Sequence, residues 1–214
     1  MKKLVLILMA LAVLPSSFAQ LTHTAGGNTV DENANKILSR VAVKWTTASI
    51  RFDVNVVNLD ANKKKTFSQK ATITYKTPAY IVKAGDIEVY CDGTTVWQVN
   101  KTAKEVVVNN MTDSDDDLTN PAKMLANYQK NYRAKYIREE DGVAIIDLQP
   151  KNSRPYHKLR LFIDTANNRL KKIEQHNYDS SRGEYTFSNY TLVKIHSTAF
   201  AYTAPEGYEV VDMR

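Results

Sequence analysis

Four histidines, one cysteine and one run of aspartates are the side chains in this sequence whose types could support chemistry. His23, His157, His176 and His196 are scattered, and none stands four residues from another, as two metal ligands on one helix face would. Cys91 is alone, so it forms no internal disulfide. It sits in an apolar stretch, where a buried inert thiol is expected rather than a nucleophile. Asp113, Asp115 and Asp117 have the D-x-D-x-D spacing of a calcium loop. The following loop positions hold Leu118 and Met124 where glycine and a bidentate glutamate belong, so no metal is expected there. These carboxylates instead precede Asn120-Pro121, an N-cap and first-turn pair, where negative charge favours a helix start. No G-x-S-x-G, phosphate loop or paired cysteines occur. The expectation is a protein that is not an enzyme, uses no cofactor and works by binding.

What the chain positions is apolar surface on strands. Thr72–Asn110 reads as a meander broken at Pro78, Ala84-Gly85-Asp86, Asp92-Gly93 and Asn100–Lys104. Pro78 lacks a ladder N–H, and Asp-Gly supplies the positive φ a tight hairpin needs. Upstream, Ser49–Asn58 sets Ile50, Phe52, Val54 and Val56 against Arg51, Asp53 and Asn55. Thr66–Lys76 alternates in the same way, with Phe67, Ala71, Ile73 and Tyr75 in phase. Downstream, strands resume from Tyr136, with Ala144, Ile146 and Leu148, then Leu159, Leu161 and Ile163, in alternation. Turns at Ala166–Asn168 and Ser180–Gly183 follow, and Pro205–Gly207 separates Phe200–Tyr202 from Tyr208–Val211.

Two helices accompany the strands. Thr29 and Glu32 have capping-box spacing ahead of Val30, Ala34, Ile37, Leu38 and Val41, which predicts a helix from about Val30 to Lys44. Pro121–Tyr132 is the second, with Met124, Leu125 and Tyr128 as its apolar stripe. Neither helix is apolar enough to fold alone, so both lie on the sheet. The fold class is mainly β (α+β): a single curled antiparallel sheet of about ten or eleven strands, an incomplete β-barrel closed by two or more helices as a lid. Strand phase assigns Phe52, Val54, Ile73, Tyr75, Val82, Val89, Trp97, Val106, Leu159, Leu161 and Ile163 to the inner face. They line either a lipid-sized cavity or an ordinary packed core.

Met1–Ala19 has the form of a leader: Lys2 and Lys3, an apolar run Leu4–Leu14 too short to span a membrane, then Ser17-Phe18-Ala19. Cleavage after Ala19 leaves residues 20–214 as one extracytoplasmic domain. Without Lys2 and Lys3, the 29 basic side chains become 27 against 23 acidic, a mild excess. The charges are interspersed, which disfavours a nucleic-acid partner.

Ordered segments across most of the mature chain resemble the periplasmic outer-membrane lipoprotein carrier (LolA-type) family. The leading helix precedes the Phe52 strand, and Pro78 is followed by Asp92-Gly93-Thr94-Thr95-Val96-Trp97, similar to the family's strand–Pro–strand–DG–[LV]W pattern. Asn120-Pro121 with Met124-Leu125 is similar to its lid segment. The tail from Phe200 through Pro205 and Gly207 to Val210 resembles its F-x-[FY]-x-x-P-x-G-[VY]-x-V ending. The resemblance implies a monomeric periplasmic carrier that takes acylated lipoproteins or other lipid from an inner-membrane releasing transporter to an outer-membrane acceptor. A non-enzymatic lipid-binding or envelope-stress sensor or interaction module of the same fold is the alternative. The family's arginine just before the proline, which ties lid to barrel, is absent: Thr77 stands there, beside Lys76.

Overall fold

Among the described residues, alternating apolar residues separated by turn residues give twelve strands in one sheet. The computed structural model describes residues 31–111, 124–125 and 127–214. The expected leader, the aspartates 113–117 and the Asn120-Pro121 pair lie outside these residues. Six strands form the first meander: β1 (Ile50–Leu59), β2 (Lys65–Lys76), β3 (Ala79–Ala84), β4 (Ile87–Cys91), β5 (Thr95–Asn100) and β6 (Glu105–Asn110). A second meander follows: β7 (Tyr132–Glu140), β8 (Val143–Pro150), β9 (Tyr156–Asp164), β10 (Arg169–Asn177) and β11 (Arg182–Leu192). β11 returns to pair with β1, Val54 opposite Phe187, so the two meanders fuse into one sheet. The sheet curls without closing, with β7 at one edge.

The other edge departs from the expected all-antiparallel sheet. Phe200–Tyr202 and Tyr208–Val211 do not form a hairpin. Ser197–Phe200 is a 3-10 turn, and β12 (Glu209–Asp212) runs parallel to β6, Glu209 opposite Glu105. The Glu209 N–H donates to the Lys104 carbonyl at 2.8 Å and the Met213 N–H to Val108 at 2.8 Å. The open edge of β6 offers unpaired backbone groups, and the tail satisfies them.

Asp92-Gly93-Thr94 turns the chain between β4 and β5. The Asp92 carboxylate accepts the Thr94 and Thr95 N–H groups at 2.8 and 2.9 Å, and Gly93 has φ +103°. A Cβ at Gly93 would lie 2.7 Å from the Pro78 ring, so both conformation and space demand glycine. Gly93→Ala is therefore expected to cost about 2 kcal/mol. Urea denaturation should show a lower midpoint at an unchanged slope.

Helix α1 spans Glu32–Thr47 and buries Ala34, Leu38, Val41 and Trp45, spaced at helical intervals along one stripe. Its N-cap is Asp31, whose carboxylate accepts the Ala34 N–H at 3.0 Å; Thr29 and Val30 lie outside the described residues. The helix runs three residues past Lys44, and Trp45 belongs to the buried stripe. Met124 and Leu125 are helical, and α2 spans Tyr128–Asn131. Tyr132, expected to end the second helix, instead begins β7 opposite Pro150. Its phenol is buried and meets the Tyr156 hydroxyl at 2.7 Å, a tertiary partner that local periodicity does not register.

Candidate functional site

Because strand side chains alternate between faces, pairing register decides what faces inward. Phe52 lies opposite Ile73, Ile73 opposite Val82, and Val82 opposite Val89, which makes one inward row across four strands. From β1 into the second meander, Val56, Tyr185, Ile173, Leu161 and Ile146 form another inward row. Of the residues assigned by phase, Phe52, Val54, Ile73, Tyr75, Val82, Val89, Leu159, Leu161 and Ile163 are buried in one apolar cluster with the α1 stripe. Met124, Leu125 and Tyr128 join the same cluster from the other cover segment.

Trp97 and Val106 do not. The inward row continues from Val89 to Gln98 and Val107, while Trp97 pairs with Tyr90 and Val108, and Val106 with Val99. Trp97 and Val106 therefore face outward, where Tyr202, Ala204 and Tyr208 of the C-terminal segment pack on them. The three consecutive valines 106–108 carry no alternation to read. The tail makes the outer face apolar as well, so apolar character does not separate the two sides.

Sequence phase also missed inward residues. Leu170 and Ile173 are both fully buried although three apart, because a register shift between Leu170 and Lys172 inserts an extra residue. The Leu-Lys-Lys-Ile spacing is the trace of that bulge. Tyr190 turns inward in the same way and stacks on Phe52 at 5.4 Å. Trp45 of α1 lies 5.0 Å from Phe52 and 6.2 Å from Tyr75, ring centre to ring centre.

Polar bonds join the cover to itself and to the sheet. The Asn35 side-chain oxygen on α1 accepts from the Tyr128 hydroxyl and from the Gln129 amide, the latter at 2.5 Å. Burial pushes the Tyr128 phenol up, which keeps it a neutral donor. The second oxygen of Asp31 accepts the Tyr136 N–H of β7 at 2.8 Å. At the far end of α1, the Thr77 hydroxyl donates to the Trp45 carbonyl at 3.3 Å and lies 3.3 Å from the Tyr75 hydroxyl. Lys76 reaches the Ile195 carbonyl instead. Thr77 therefore bonds the helix through a short neutral hydroxyl, and Lys76 does not.

The opposite face of the second meander is charged and paired. Arg160 donates two bonds to Asp147, at 2.7 and 2.9 Å, and Lys172 meets Glu174 at 2.7 Å. His157 and His176 lie near each other, ring centres 6.1 Å apart, while His196 caps the 3-10 turn; His23 lies outside the described residues. Among the described residues no group of three or more His, Cys, Asp or Glu side chains is placed to hold a metal. Cys91 is fully buried, and burial pushes its thiol up, away from the reactive thiolate. Among the described residues no helix is long and apolar enough to cross a membrane.

No curated protein matches this sequence. Among solved structures, an uncharacterized conserved protein from Thermus thermophilus is similar in fold, with TM-score 0.56 and 13% identity over 84% of this chain and 99% of that one. A LolA superfamily protein from Nitrosomonas europaea has TM-score 0.44 and 14% identity, covering 79% and 97%. LprF from Mycobacterium bovis has TM-score 0.43 and 15% identity, covering 79% and 98%. Residues 85–203, from the turn before β4 to beyond the 3-10 turn, match the family described as Outer membrane lipoprotein carrier protein LolA. That match spans more than half of the chain, which therefore belongs to the LolA family.

Proposed function

We propose that this protein binds the acyl chains of lipoproteins, or of another lipid, between the concave face of the sheet and its helical cover. In this reading it is a monomeric periplasmic carrier moving lipoproteins from the inner to the outer membrane, loaded by a releasing transporter and unloaded at an acceptor. The observation that carries the reading is an unclosed sheet with an apolar inner face, covered by α1 and by a second segment that contributes three buried side chains. Met124, Leu125 and Tyr128 are all buried against that face. Burying each contributes roughly 1.5–3 kcal/mol before ordering costs, so this segment can lift without unfolding the sheet. Methionine adds a side chain that adapts to a flexible acyl chain. The carrier acts by binding alone and returns its lipid chemically unchanged.

Native mass spectrometry of the protein recovered from a bacterial periplasm tests this. Copurified acylated species are expected, of unaltered mass after extraction. Leu125→Asp should lose most of that lipid while circular dichroism still reports the folded sheet. Retention at the wild-type level, or loss of the whole fold, would mean the segment is not a lid. A lipid-free wild-type protein would instead favour a protein-binding module of the same fold.

A further inference from the structure

On the convex face an open cleft of about 330 Å³ lies over β1, β2, β3 and β11. Its floor is built by register: Ser188 lies opposite Asp53, Asp53 opposite Thr72, and Thr72 opposite Lys83, one outward row over four strands. A bulge in β11 places Asn189 at φ +54°, a left-handed conformation that asparagine tolerates better than most residues. The same bulge turns Tyr190 inward and sends the Asn189 amide outward to Asp53.

The Asp53 carboxylate is held by neutral donors alone. One oxygen accepts the Thr72 hydroxyl at 2.7 Å and the other the Asn189 amide at 2.7 Å. These bonds hold Asp53 below the usual carboxylate range, so it is ionised, and among the described residues it makes no ion pair. Lys70 and Lys83 border the cleft. Lys83 is 55% exposed and shares Glu88 at 3.5 Å, while Lys70 is exposed and has no ion pair among the described residues. A simple anion here meets the aspartate, and a simple cation meets two lysines. Only a group carrying both signs close together satisfies both.

We infer that this cleft is a binding site for a phosphoethanolamine group, with Asp53 accepting its ammonium N–H groups and Lys70 and Lys83 contacting its phosphate. The site lies on the face opposite the acyl-binding reading and does not depend on it.

Titrating the ¹⁵N-labelled full chain with glycerophosphoethanolamine, glycerophosphocholine and inorganic phosphate tests the assignment with probes that carry no acyl chain. Saturable shifts at the Asp53, Thr72, Lys83 and Asn189 amides are expected with glycerophosphoethanolamine. Binding should be about tenfold tighter than for glycerophosphocholine, whose ammonium has no N–H to donate. Asp53→Asn should abolish that preference, and Lys70→Ala should weaken both probes alike. Lys70→Ala removes only an exposed side chain, so it remains readable if Asp53→Asn fails to fold. The inference is overturned by unsaturable shifts, by equal affinity for the two headgroup probes, or by inorganic phosphate binding as tightly as either. It is overturned equally if Lys70→Ala leaves the affinities unchanged, or if a folded Asp53→Asn keeps the preference.

Discussion

Replacing Trp45 with alanine is expected to lower stability by about 3–5 kcal/mol. Trp45 is 1% exposed and packs between Phe52, Tyr75 and Tyr190, so its removal leaves a hole where the helix stripe meets the sheet. The Thr77 hydroxyl bonds the carbonyl of the same residue, so relaxation into the hole also disturbs that tie. Urea denaturation of Trp45→Ala measures the loss. Trp97→Ala is the control: Trp97 is half-buried under the C-terminal segment on the other face, and about 1–2 kcal/mol is expected there. Equal losses at the two tryptophans would contradict a core centred on the concave face. The contrast with Leu125→Asp separates the two covers: Trp45→Ala is expected to lower stability, and Leu125→Asp to lower lipid retention with the sheet still folded.

Arg160→Leu is expected to cost about 3 kcal/mol at neutral pH, because it strands a carboxylate. The Asp147 side chain is 11% exposed, and after the change only Lys158, at 3.5 Å, remains beside it. In the wild type, burial alone would push the Asp147 carboxyl up. The Arg160 hydrogen bonds and the charges of Lys158 and Arg160 outweigh burial and hold it below the ordinary 3.8. A depressed carboxyl stabilises the fold above its unfolded value, and that contribution is lost as pH falls through the folded value. In Arg160→Leu the lowering by Arg160 is gone while burial and Lys158 remain, so the carboxyl rises from its wild-type value and the deficit narrows on acidification as Asp147 takes up a proton. Urea midpoints at pH 7 and pH 4 should therefore converge for the two proteins. The double variant Asp147→Leu/Arg160→Leu should recover most of the loss, since it removes both charges together. A deficit that stays constant with pH would assign the arginine a packing role only.

The local elements were legible because their causes are local. Ile50, Phe52, Val54 and Val56 alternate with polar residues, so the β1 phase follows from a period of two. Gly93 after Asp92 marks a turn whatever surrounds it, and the stripe through Ala34, Leu38 and Val41 marks a helix with one buried side. The inward residues of β1 to β4 and the burial of Met124, Leu125 and Tyr128 followed from the same two periods.

Tertiary structure decided what depends on a distant partner. The pairing of β1 with β11, Val54 opposite Phe187, joins segments more than a hundred residues apart and has no local signal. The parallel return of β12 exists because β6 presents an open edge. Its approach covers the outer face beside β5, and that second cover is why Trp97 and Val106 could not be assigned a side from their neighbours. The bulges that turn Ile173 and Tyr190 inward are set by the strands they pair with, one extra residue at a time. A period of two tells which residues share a face; only the partner strands decide which face is inside.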